Sequence, residues 1–139
     1  MKKLRIIIII IVLAMIGFFV WRSLQYTFVD EFNIFHGYLR IYNVDPVNDT
    51  ITFVLELMEP KKINWKYTND IEFLLRNETN YRVNPPDLSY KVIDYNHTHY
   101  FDTGDLIIIY PRSKYIGYQL RMYVPVPGYR GWILGDVIR

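Results

Sequence analysis

The chain has 139 residues, no cysteine, and 16 basic against 14 acidic residues. Four of the basic residues (Lys2, Lys3, Arg5 and Arg22) flank one apolar run, so the remainder holds twelve against fourteen and sits near −2. These figures exclude a disulfide framework, a thiolate metal site and the clustered basic face that nucleic-acid binding requires. With the run set aside, about 110 residues remain, enough for one domain and too few for two.

Residues 6–21 carry no charge: six isoleucines lead into Val12, Leu13, Ala14, Met15, Ile16, Gly17, Phe18, Phe19, Val20 and Trp21. As a helix this run spans roughly 24 Å, a little short of a ~30 Å hydrocarbon core. Arg5 and Arg22 close the gap by snorkelling, and Trp21 suits headgroup depth. Lys2, Lys3 and Arg5 before the run outweigh Arg22 after it, which places the N-terminus in the cytoplasm. A cleaved signal peptide competes with this reading, but Phe18 to Arg22 offer no small-x-small pair at the exit, which favours a retained anchor. The division that follows is a cytoplasmic basic flank over 1–5, a transmembrane signal anchor over 6–23 that meets the lipid bilayer, a connector or first strand over 24–36 whose pattern also allows the anchor helix to continue into it, and an extracytoplasmic β domain over 37–139.

Beyond the connector the sequence alternates with period two, the pattern of half-buried strands. Residues 37–43 set Leu39 and Ile41 against Tyr38, Arg40 and Tyr42, and Asp45-Pro46-Val47-Asn48-Asp49 reads as a turn. Residues 50–57 place Ile51, Phe53, Leu55 and Leu57 on one face, as in a core strand. Ile63, Trp65 and Tyr67 predict a further strand, as do Ile71, Phe73 and Leu75. Asn84-Pro85-Pro86-Asp87 cannot donate to a sheet and reads as a loop. A strand is expected over 90–95, a polar connection over 96–102, and a strand covered on both faces over 105–110, ended by Pro111. Two more strands, over 117–124 and 131–138, flank the segment from Pro125 to Arg130. Seven or eight short strands behind one helix predict an all-β sandwich, with a small barrel as the second choice.

Three Asn-x-Thr sequons, at Asn48, Asn77 and Asn96, fall in predicted connections or strand ends where a glycosyltransferase can reach them. His97 and His99, two apart, would share one face of a strand, and with Asp94 or Asp102 they form the candidate metal ligands; the segment itself reads as a loop, and no cofactor is expected. No nucleophile elbow, zincin helix, phosphate loop or cysteine nucleophile occurs, so a non-enzymatic module is expected. A metal-dependent or glycan-active surface enzyme built on the two histidines is the alternative from another class. Tyr110, Tyr115, Tyr118, Tyr123 and Tyr129 crowd the last third, where they either cover strand faces or supply an interface.

The last third carries a resemblance: Phe101-Asp102-Thr103-Gly104-Asp105-Leu106-Ile107-Ile108-Ile109, then Gly117-Tyr118-Gln119-Leu120-Arg121-Met122-Tyr123-Val124, then Gly131-Trp132-Ile133-Leu134-Gly135-Asp136-Val137-Ile138. This succession, a Gly-Asp turn opening a strand and two closing strands, resembles the ending of archaeal type IV pilin-like proteins and the related archaellum accessory (stator) proteins. The resemblance implies an N-terminal hydrophobic helix, an immunoglobulin-like β-sandwich outside the membrane, and a role in assembling or gripping filament or surface-layer partners. Leu4-Arg5-Ile6 departs from that pattern by offering no small residue at a prepilin-peptidase position. The departure favours an uncleaved accessory protein over a filament subunit whose apolar helix packs in a filament core.

Overall fold

The computed structural model describes residues 1–29 and 33–139, with the side chains of 24–29 left undescribed, and divides the chain into an N-terminal helical unit and the unit Asn33–Arg139. Helix α1 runs Lys2–Val29, so it extends past the apolar run, and part of the expected connector is helical. The remainder of the connector over 30–32 lies outside the described residues. The stretch Lys2–Ser23 is long and apolar enough to cross a membrane, a property that anchors and signal sequences share. Its 22 residues rise about 33 Å, but Lys2, Lys3, Arg5 and Arg22 lie within them, so the uncharged length stays that of residues 6–21 and the basic flanks still have to reach the headgroups. Large apolar side chains from Ile6 to Trp21 are each 48–62% exposed, without a polar face among them.

The second unit is mostly β. Its strands are β1 (Asn33–Ile34), β2 (His36–Asp45), β3 (Thr50–Glu59), β4 (Lys62–Asn64), β5 (Glu72–Arg76), β6 (Tyr81–Val83), β7 (Ser89–Ile93), β8 (Tyr100–Asp102), β9 (Leu106–Tyr110), β10 (Gln119–Tyr123), β11 (Tyr129–Arg130) and β12 (Ile133–Val137). Eight of them form one continuous sheet in the order β6-β5-β10-β12-β2-β3-β9-β7, while β1-β11 and β4-β8 are separate pairs. The sheet curls. Phe73 on β5, next to the edge strand β6, and Tyr90 on β7, the edge strand at the other end of the order, stack edge to face with centroids 5.1 Å apart. The Tyr90 hydroxyl also donates to Thr68 O at 2.9 Å.

The core follows from the alternation. Ile51, Phe53, Leu55 and Leu57 on β3 are buried while Thr52, Val54 and Glu56 between them are only half-buried, as a strand with one covered face requires. Leu39, Phe73, Leu75, Leu120, Met122 and Ile133 bring neighbouring strands onto the same interior. Each such side chain contributes about 1.5–3 kcal/mol by leaving water. On β9 only Leu106 and Ile107 are buried in succession, because Ile108 is half-buried, so the strand is covered on both faces at one end alone.

Two segments differ from the alternating pattern. Trp65–Asp70 is a 3₁₀ helix, not the second half of a strand. The Asn64 side chain accepts from Lys66 N at 3.0 Å and Thr68 Oγ1 donates back to Trp65 O at 2.7 Å, so local caps outweigh the apparent period of Trp65 and Tyr67. Within the polar connection, Tyr100–Asp102 forms β8 and pairs with β4, burying Phe101 beside Ile63.

The Gly-Asp turn before β9 is tied to β3 by four hydrogen bonds. Leu57 N donates to Thr103 Oγ1 (2.8 Å), whose hydroxyl donates to Leu57 O (3.0 Å); Gly104 N donates to Leu55 O (2.8 Å), and Leu55 N to Asp105 O (2.9 Å). Asp105 is fully buried there, and Asp102 N donates to its Oδ2 at 2.9 Å while its Oδ1 has no partner among the described residues. Burial drives its carboxyl up to about 6, and the nearby charges of Asp102 and Asp94 add to the rise.

Candidate functional site

The C-terminal strand β12 lies parallel to β2 and antiparallel to β10, placing the chain's last strand in the middle of the sheet. Gly135 makes this seat possible: a Cβ there would stand 2.8 Å from Leu120 O and 3.1 Å from the Leu39 Cβ. Beyond Gly135 the Asp136 carboxylate replaces backbone pairing, accepting from Ile41 N at 2.9 Å and from the Tyr38 hydroxyl at 2.6 Å. That hydrogen bond, reinforced by burial, raises the Tyr38 phenol above its ordinary value.

A second device shapes the other end of β2. The β2-β3 register pairs His36 with Glu59 but Gly37 with Leu57, leaving Met58 as an extra residue. This bulge turns Met58 and Glu59 both outward, and Met58 is 73% exposed. Gly37 faces the same crossing closely, since a Cβ there would lie 2.7 Å from Glu56 O. Nearby, β1 pairs with β11 in parallel, and Phe35 is buried against Tyr129 and Tyr123 at centroid distances of 5.3 and 6.1 Å. Trp132 meets the other side of Tyr123 at 6.0 Å.

Together these elements enclose an open groove of about 810 Å³. Phe35, Trp132 and the exposed Ile34, Met58 and Leu134 supply its apolar surface, while His36, Glu59 and Arg121 supply polar groups. The Arg121 Nε is buried without a partner among the described residues, and its Nη2 reaches Gln119 Oε1 only at 3.5 Å. Such a surface can receive an apolar group flanked by hydrogen-bonding groups. Sequence periodicity missed it, because beside the β2-β3 hairpin its residues come from β1, β10, β12 and the segments next to them, which meet through non-sequential pairing.

The sequence-derived candidates lie elsewhere. His97 and His99 sit in a loop rather than on one face of a strand, both at positive φ (56° and 65°). The Asp94 oxygens are engaged by Thr98 N (3.2 Å) and His99 N (3.1 Å), and Asp102 Oδ1 accepts from Thr98 Oγ1 (3.1 Å). Among the described residues no group of three His, Cys, Asp or Glu side chains is placed to hold a metal ion. Asn48, Asn77 and Asn96 lie in turns or loops, as expected; Arg5, Trp21 and Arg22 lie on α1. Of the five late tyrosines, Tyr110 is exposed and Tyr115 is buried, with its hydroxyl donating to Asp87, to which Lys114 also donates. Burial and that bond push the Tyr115 phenol up to about 12.

No protein family model, curated protein or solved structure matches the chain. The class that the coordinates define is therefore structural: a mostly β unit carrying a curled eight-stranded sheet, preceded in sequence by one apolar helix.

Proposed function

We propose that the protein is a non-enzymatic, single-pass membrane protein with its N-terminus in the cytoplasm, presenting the β unit outside as a structural or binding module. The observation that carries the reading is α1, whose residues 6–21 are apolar all round and solvent-exposed within the chain. A helix without a polar face finds its complement in lipid or in other apolar helices. The groove beside Met58, Trp132 and Leu134 supports a protein partner, because it gathers exposed apolar side chains from several strands into one concave surface.

The resemblance in the last third extends this proposal to a pilus, archaellum or cell-envelope assembly, with the curled sheet as the counterpart of an immunoglobulin-like sandwich. In support, the strand order is non-sequential, the first long strand β2 lies beside the last strand β12, and the two ends of the sheet approach each other. The all-round apolar helix also supports a second reading, a filament subunit whose helices pack together in a filament core.

A photo-crosslinking residue placed at Met58 or Ile34 of the full-length protein in native membranes tests the binding role. Defined adducts are expected at these positions and not at Val47, which is 92% exposed on the Asp45–Thr50 turn. Equal labelling at Val47 and Met58 would remove the groove as a binding surface.

A further inference from the structure

The three sequons are not equivalent once folded, and the difference lies at the amide nitrogen that a glycan would occupy. Asn48 Nδ2 donates to Asp45 Oδ2 at 2.7 Å. Asn96 Nδ2 donates to Thr103 O at 2.6 Å and is seated directly over Gly104, where an added Cβ would lie only 2.2 Å from it. A sugar on Asn96 would have to lift the same Thr103-Gly104-Asp105 turn that is bonded four times to β3.

Asn77 is built the other way round. It opens the connection between β5 and β6, with its backbone N donating to Asn80 O at 2.9 Å. All the local bonding falls on its oxygen: Oδ1 accepts from Asn80 N (2.7 Å), Thr79 N (3.1 Å) and Thr79 Oγ1 (3.4 Å). Its Nδ2 has no acceptor among the described residues and is not fully buried; Asn77 is half-buried where Asn48 and Asn96 are exposed, so the three differ here in the bonding of the amide nitrogen and not in greater exposure of Asn77. The amide is thus oriented by its oxygen with its nitrogen left unbonded among the described residues, and the sequon hydroxyl lies against the same side chain.

We propose that Asn77 is a glycan-attachment site of the folded protein, and that Asn48 and Asn96 are not its equals. The reaction takes a glycosyl donor carried on a lipid phosphate or diphosphate and a membrane oligosaccharyltransferase. Asn77 Nδ2 forms a bond to the anomeric carbon, the bond from that carbon to the phosphate oxygen breaks, and the phosphate leaves with the electron pair. One Nδ2 proton passes to a base on the transferase. The first sugar then meets a shallow groove of about 390 Å³ lined by Arg76, Glu78, Gln119 and Arg121, whose side chains suit sugar hydroxyls. That groove lies over the ends of β5, β10 and β12, on the inner side of β5 from the edge strand β6.

In the cell this inference rests on the outward placement of the β unit proposed above, so the experiment separates the two. Full-length protein with an Asn-Ala-Thr sequon on a flexible C-terminal tag is incubated in detergent with an oligosaccharyltransferase and its lipid-linked donor, and the products are mapped by mass spectrometry. One added glycan is expected on Asn77, lost in Asn77→Gln and Thr79→Ala and kept in Asn48→Gln and Asn96→Gln. A modified tag beside a bare Asn77, or modification of Asn48 or Asn96 ahead of Asn77, overturns the proposal. The same tagged chain expressed in a glycosylating host reads sidedness: a bare tag there refutes the outward placement, whatever the detergent result.

Discussion

Replacing Asp105 with Asn should flatten the pH dependence of stability. The wild-type carboxyl is fully buried, its Oδ1 has no hydrogen-bond partner among the described residues, and burial raises its pKa from 3.8 to about 6. Between these values the folded state holds the proton more tightly than the unfolded chain does. The stabilisation is complete below about pH 3.8 and is lost as pH rises through about 6. At about 1.4 kcal/mol for each unit of pKa, the loss between pH 4 and pH 7.5 is of the order of 2–3 kcal/mol. The Asn variant keeps an oxygen for Asp102 N but places an NH₂ where Oδ1 stood, a constant cost of about 1–3 kcal/mol that does not vary with pH. Urea unfolding of full-length wild type and Asp105→Asn in mild detergent, followed by tryptophan fluorescence from pH 4 to 7.5, isolates the difference. Other carboxylates cancel between the two proteins. The wild type should lose about 2–3 kcal/mol relative to the variant over this range. Parallel curves would mean that the carboxyl is solvated and that the account of its burial is wrong.

Gly135→Ala should destabilise the β unit by about 1–3 kcal/mol, because both nearest atoms to the new Cβ are parts of well-packed strands. An unchanged urea midpoint would show that β12 can shift outward without loss. Asp87→Asn should diminish the acid sensitivity of the Pro85-Pro86 loop. The Lys114 ammonium first, and then the Tyr115 hydroxyl, hold the Asp87 carboxyl below its usual range, so this clamp is present above pH 3.8 and is lost as pH falls further. Hydrogen exchange of the amides around residues 87–90 between pH 3 and pH 6 should show acid-dependent loosening in wild type and little pH-dependent change in the variant. Asn84→Ala should loosen the free edge: Asn84 Oδ1 accepts from Phe73 N at 2.8 Å, while Asn84 N donates to Phe73 O at 2.9 Å. Faster exchange at Phe73 N with no change at Leu120 would report that local effect.

The strands with one buried face were legible because alternation is itself the consequence of burial, as at Ile51, Phe53 and Leu55. The Asp45–Asn48 turn and the Pro85-Pro86 loop were legible through side chains that bond their own backbone or lack a donor. The 3₁₀ helix at Trp65–Asp70 was hidden because two aromatics spaced by two imitate a strand, and only the Asn64 cap reveals otherwise. Edge strand β6 was hidden because Tyr81-Arg82-Val83 is too short to establish a period and all three residues are exposed. Which strands neighbour one another is not encoded in their period, so neither the β2-β12 pairing nor the groove it creates could be read from residue spacing. The sequons could be found by motif, but their ranking depends on bonds that Asn48 and Asn96 donate to Asp45 and Thr103, three and seven residues away.

If α1 is a retained anchor and the β unit faces outward, the two ends of the chain lie on opposite sides of the membrane. Protein tagged at both ends is fractionated from intact cells and then exposed to external protease. Full-length chain in the membrane fraction, with the C-terminal unit digested and the N-terminal tag protected, is the expected result. A soluble chain shortened at its N-terminus, or a C-terminal unit that protease cannot reach until the membrane is opened, would contradict it.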